Sequence, residues 1–175
     1  MQGVIGHSAL QCACHNQYCH RSIIELLVKK NPELCKMKGK VKEENKVVEG
    51  LPLYCYLIRK SNIDINTVKI LAEDYHRALT LEDYIDGNEP VRALLSNPNI
   101  NDMQVQDILE YLLYSEPPSV HNLDGSERGA KLLSVACKNE GVTLEIVHIL
   151  LNAWPEAIRT RVSNTGRLPI VKTTN

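Results

Sequence analysis

The chain has 175 residues, 43% of them apolar and 23% charged, with 20 Lys and Arg against 21 Asp and Glu, for a formal net charge of -1. That balance excludes a global field that would draw in nucleic acid or an acidic membrane, and no run reaches the roughly 18 uninterrupted apolar residues of a membrane span. The leading Met1-Gln-Gly-Val-Ile-Gly6 has neither a basic start nor a long apolar stretch, so nothing in it reads as a targeting or anchoring segment.

A glycine followed by a Pro-Leu step recurs along the sequence. Gly50-Leu-Pro-Leu53 and Gly166-Arg-Leu-Pro-Ile170 carry it most fully, and Gly6-His-Ser-Ala-Leu10, Gly87-Asn-Glu-Pro-Val91 and Gly129-Ala-Lys-Leu-Leu133 are looser copies. These glycines lie 44, 37, 42 and 37 residues apart, a period that indicates stacked supersecondary units, each too small to bury an apolar face alone. The predicted units span 6–49, 50–86, 87–128 and 129–165, with a partial fifth at 166–175, all within one domain.

In the first unit, a helix is predicted over Ala9-Leu-Gln-Cys-Ala-Cys14 and a second around Ile24 and Leu27, stopped at Asn31-Pro-Glu-Leu34 because proline has no amide proton to continue it. The polar finger at 36–49 follows, where Lys36-Met-Lys-Gly-Lys-Val-Lys42 is balanced by Glu43, Glu44 and Glu49 and has no aromatic residue among the lysines; it reads as solvated surface. The second unit repeats the plan with Pro52-Leu-Tyr-Cys-Tyr-Leu57, then Val68 and Leu71, a stop at Tyr75-His-Arg-Ala78 and a loop at 80–86. The third has Pro90-Val-Arg-Ala-Leu-Leu95, four extra residues between its helices within 96–103, then Leu109 and Leu112, a stop at Glu116-Pro-Pro-Ser119 and a loop at 121–128. The fourth has Leu132-Leu-Ser-Val-Ala-Cys137, then Val147 and Leu150, a stop at Trp154-Pro-Glu-Ala157 and a loop at 159–165.

In this register Ile24, Val68, Leu109 and Val147 form one core column and Leu27, Leu71, Leu112 and Leu150 another. Glu25, Lys69, Glu110 and His148, with Lys29, Glu73, Tyr114 and Asn152, occupy the opposite face of an amphipathic helix. The chain has no phenylalanine, and Tyr54, Tyr56, Tyr75, Tyr111 and Tyr114 are expected to serve as its core aromatics.

A glycine turn, a Pro-Leu helix start followed by Ala or Cys, a second amphipathic helix and a polar finger resemble the ankyrin repeat, whose signature is Thr-Pro-Leu-His-x-Ala. The resemblance covers nearly the whole chain and is to the divergent repeats of diatoms and related algae, which share the Pro-Glu-Ala helix end and a longer inter-helix loop. No unit keeps the full signature: the Thr position holds Ser8, Leu51, Glu89, Lys131 and Leu168, and the His position holds Gln11, Tyr54, Arg92, Ser134 and Val171. The resemblance implies an all-α, ankyrin-like solenoid of helix-turn-helix repeats with short hairpin or loop fingers, working as a protein-protein interaction scaffold or adaptor.

Two chemical readings compete with that one. Cys12-Ala-Cys-His-Asn-Gln-Tyr-Cys-His20 places three thiols and two imidazoles, the usual zinc ligands, in nine residues. Cys12 and Cys14 are two residues apart on a helix, hence about 200° apart, so they do not face one ion; Cys14 shares a column with Leu57, Leu95 and Cys137, and Cys12 one with Cys55, Ala93 and Val135. Packing is the expectation, a metal or redox sensor built on His15, Cys19 and His20 the lesser one, and no cofactor or metal is assigned. Nucleophile elbows, Walker loops, dinucleotide fingerprints and His-Glu-x-x-His helices are all missing from the sequence, so no catalytic residue is expected.

The expected partner is another protein, without nucleic acid or membrane insertion. Five of the six cysteines fall in the first third of the chain, unlike a disulfide-stapled scaffold, which points to a reducing intracellular compartment, the cytoplasm. The solvent positions expected to bind lie just past the first helix of each unit, at His15, Asn16, Arg59, Lys60, Ser96, Asn97, Lys138 and Asn139, with His7, Asn88 and Arg167 after the turn glycines. A structural subunit embedded in a larger assembly is the alternative; it would show as exposed apolar side chains outside the core columns, with Ile100, Leu113 and Tyr114 as the positions to inspect.

Overall fold

The structure is a computed structural model that describes residues 8–43, 46–59, 61–73, 75–79, 90–100, 104–115 and 125–162. It is mostly helical. Among the described residues there are eight α-helices: α1 (Ala9–His15), α2 (Arg21–Lys30), α3 (Pro52–Arg59), α4 (Ile65–Glu73), α5 (Pro90–Leu95), α6 (Gln104–Tyr114), α7 (Gly125–Ala136) and α8 (Leu144–Ala153). An antiparallel hairpin, β1 (Gly39–Glu43) and β2 (Lys46–Gly50), pairs Gly39 with Gly50 and Val41 with Val48, and forms the finger expected at 36–49. No helix among the described residues is long and apolar enough to cross a membrane.

The helices pair within each unit, and the pairs pack in chain order: α1, α3, α5 and α7 form one row, and α2, α4, α6 and α8 a second. Proline ends two of the second-row helices as expected. α2 stops at Asn31 and α8 at Trp154, and each passes into a short 3₁₀ turn, Pro32–Lys36 and Pro155–Ile158; the second unit makes the same turn at His76–Leu79 without proline. The stop at 116–119 and the loop at 80–86 lie outside the described residues.

Burial in the second row follows a rule. The middle helices bury the same four columns, Thr67, Val68, Leu71 and Ala72 in α4 and Ile108, Leu109, Leu112 and Leu113 in α6, which adds Val105, because each has a neighbour on both sides. Helix α2 buries only Ile24 and Val28, the columns that face α4, and α8 buries only Ile146 and Leu150, the columns that face α6. Leu27 and Val147, expected as core, are therefore only half-buried: each belongs to the column directed away from the neighbouring second-row helix among the described residues.

Three other expectations are corrected. Gly129 is not a turn glycine and 125–128 is not loop, since α7 begins at Gly125 and runs unbroken through Ala136. A glycine inside a helix costs about 1 kcal/mol relative to alanine, but here a Cβ would stand 2.6 Å from the Cβ of Trp154, so only glycine lets the helix approach that closely. The Arg128 guanidinium lies 5.3 Å from the centre of the Trp154 ring on the same contact. Ile100 and Leu113, inspected as surface residues, are fully buried, whereas Tyr114 is 66% exposed and joins no core. Cys12, expected to pack, is exposed, while Cys55 and Ala93 in its column are buried between neighbouring first-row helices.

Candidate partner-binding face

Past the end of three of the four first-row helices, asparagine recurs in one register position. The Oδ1 atoms of Asn16, Asn97 and Asn139 accept from the backbone amides of Tyr18, Asn99 and Gly141 at 3.0, 2.9 and 3.0 Å, closing the same tight turn in three units. The last carbonyls of a helix have no intrahelical donor, and this column supplies one across the unit boundary. Asn97 Nδ2 donates to Leu57 O at 2.8 Å, and Asn139 Nδ2 donates to Leu95 O at 2.9 Å and to Asn97 O at 2.7 Å.

Asn97 is thus fully buried and Asn139 half-buried, so their expected role as solvent-facing contacts is corrected: their amides stitch each unit to the one before it. The sequence carried a signal for this, since one residue type returned at one register position, which is the mark of a structural demand. His15 is half-buried at the end of α1, and Asn16, Ser96 and Lys138 are exposed. His7, Lys60, Asn88 and Arg167 lie outside the described residues, as does the side chain of Arg59, the last residue of α3.

Ser96, Lys138 and Asn139 come together. With Leu95, Pro98, Val135, Glu140 and Gly141 they line an open groove of about 540 Å³ between the third and fourth units. One wall is the segment 96–100, whose Ile100 is buried, and the Ile100 carbonyl abuts Gly141 closely enough that any Cβ there would overlap it. A second groove of about 300 Å³ lies between α2 and α4 and is lined by Glu25, Val28, Lys29, Ile70 and Glu73.

The first unit holds its finger by another device that sequence reasoning did not find. Ser8 caps α1: its hydroxyl accepts from Gln11 N at 3.2 Å, and Gln11 Oε1 accepts from Ser8 N at 2.8 Å. The fully buried Gln11 amide then donates to Met37 O at 2.8 Å and Gly50 O at 3.1 Å, tying both ends of the hairpin to the helix. In the second unit Asp64 receives Thr67 N and Thr67 Oγ1, both at 2.9 Å, and Arg21 of the first unit approaches it at 3.2 Å. Burial acts to raise the Asp64 pKa, but those hydrogen bonds and the Arg21 charge outweigh it and hold the carboxyl below its ordinary value.

The residues of the Cys/His run are spread around the end of α1 and the start of α2. Cys12 is exposed, Cys14 is buried, and His20 caps α2 through Nδ1, which accepts from Ser22 N at 3.3 Å. No three His, Cys, Asp or Glu side chains among the described residues gather as a metal site would require. None of the six cysteines is in a disulfide. Burial pushes the Cys55 thiol up to about 12, which leaves it protonated and unreactive at neutral pH. No family model, curated protein or solved structure matches this chain.

Proposed function

We propose that the chain is an ankyrin-type stack that binds another protein, without catalysis, through the inter-helix loops of its first helix row. The observation that supports this most is the groove between the third and fourth units, where apolar Leu95, Pro98 and Val135 stand beside the exposed Lys138 and Glu140. An apolar floor with a few charges at its rim is the composition of a recognition surface. The asparagine column fixes the backbone of both walls, so a partner meets a preorganised surface and less ordering opposes binding. Free thiols throughout fit work in a reducing compartment such as the cytoplasm.

Affinity capture from the native source, read by mass spectrometry, tests the reading. Charge reversal at Arg59 and Lys138 together is expected to weaken capture of a specific partner, and reversal at Lys29 and Glu73, in the groove between α2 and α4, to leave it intact. Capture lost only with the second pair would move the partner to the second helix row and favour a subunit embedded in an assembly.

A further inference from the structure

The burial rule of the second row leaves both ends of the stack uncovered among the described residues. At the first-unit end Ile23 is 47% exposed, although the residues in its column, Thr67, Ile108 and Ile146, are buried against the preceding unit. Leu26 beside it is 54% exposed. At the last-unit end Leu151 is half-buried, where Val28, Ala72 and Leu113 in its column are buried against the following unit, and Ile158 is 42% exposed, where Cys35 and Leu79 are buried. Leu144, 65% exposed, stands in the column from which Arg21 reaches forward to Asp64 of the next unit.

Three times within the chain, a surface of the last-unit type is covered by a surface of the first-unit type: α2 against α4, α4 against α6, and α6 against α8. We propose that the chain associates end to end with a second copy of itself, the first-unit face of one protomer around Ile23 and Leu26 seating on the last-unit face of its partner around Leu144, Leu151 and Ile158. The occupant follows from continuity: the contact would extend an interface the chain already makes internally, using side chains it already carries at both ends. Because the two faces differ, the contact is heterologous and does not close on itself as a twofold dimer does. Burying apolar side chains that otherwise meet water drives it. The proposal does not depend on the groove between the third and fourth units, and each can fail alone.

Sedimentation velocity on the 175-residue chain across a concentration series tests it. The mass is expected to rise with concentration above the 19.7 kDa monomer and past the dimer. Ile23→Glu with Leu26→Glu, and separately Leu144→Glu with Ile158→Glu, are expected to give monomers, and an equimolar mixture of the two variants to form a dimer and stop there, since each retains the one face that the other needs. All four positions are exposed, so unchanged circular dichroism and melting are expected; if either pair melts lower, the glutamine versions replace it. A wild-type protein that stays monomeric throughout overturns the proposal, and so does self-association that survives in either double variant. A monomer whose melting temperature rises when a helix pair is fused ahead of Ser8 assigns the first-unit face to a preceding unit of the same chain and overturns it equally.

Discussion

The second-row helices of the middle units and those of the end units share one pattern of apolar residues but use it differently. Helix α4 buries four residues and α6 the same four columns plus Val105, while α2 and α8 bury two each, and those two are turned toward the neighbouring second-row helix among the described residues. An apolar stripe in a repeat is therefore wide enough for two interfaces, and position in the stack decides how much of it leaves water.

The sharpest way to break that comparison is a leucine deletion in each region. Leu112→Ala in α6 removes a side chain that is 1% exposed, with an expected cost of about 2 to 5 kcal/mol in urea unfolding from lost transfer energy and the cavity left behind. Leu71→Ala and Leu150→Ala belong to the same class. Leu27→Ala, in the same column but half-buried at the first-unit end, is expected to cost about 1 kcal/mol, at the level of a typical point mutation. Equal costs at Leu27 and Leu112 would end the distinction between middle and end.

A smaller effect is expected from Gly129→Val, where the new side chain meets Trp154: about 1 to 3 kcal/mol of overpacking, with a shift in Trp154 fluorescence as the local signature. Asn97 and Asn16 give a third contrast at one register position. Asn97→Ala leaves the buried Leu57 carbonyl without its donor, an expected loss of about 1 to 3 kcal/mol. Asn16→Ala, at an exposed residue whose Oδ1 closes its own turn, should change stability by about 0.5 kcal/mol or less.

The acid side of the stability profile tests the junction of the first two units. Asp64 has a folded pKa below its ordinary 3.8, so its contribution is complete above that value and is lost as the pH falls through the lower folded pKa. Asp64→Asn should weaken the protein at neutral pH, through the Thr67 cap and Arg21, and flatten the decline on acidification that the wild type shows. Identical pH profiles for the two proteins would remove Asp64 from that junction. The smallest perturbation is thiol labelling of the native protein: Cys12 is expected to react first, with Cys14, Cys35 and Cys55 protected until unfolding.

Much of the architecture was legible in the residues. Leucine and valine spacing located the second helices, proline located two of their ends, and the polar run after Cys35 located the hairpin, because each is a local demand of backbone geometry on residue type. The reading slipped where one residue type serves two purposes. Gly129 has the spacing of a turn residue, and within its own segment nothing distinguishes a glycine that frees the backbone from one that makes room for Trp154, 25 positions later in the chain. Asn97 and Asn139 looked like wet loop residues because their partners are backbone carbonyls one unit back, about forty positions away, which no local pattern displays.

By itself the sequence determined the helix pairs, their order and which residues could be core, since periodicity and helix punctuation act over one or two turns of chain. The tertiary structure alone decided which of those candidates left water, which loop amides became clamps, and that Ser96 and Pro98 would line one groove with Lys138. Those outcomes depend on what stands beside each unit. A repeat specifies its own faces, and only the presence or absence of a neighbour determines whether a face becomes an interior or remains a surface.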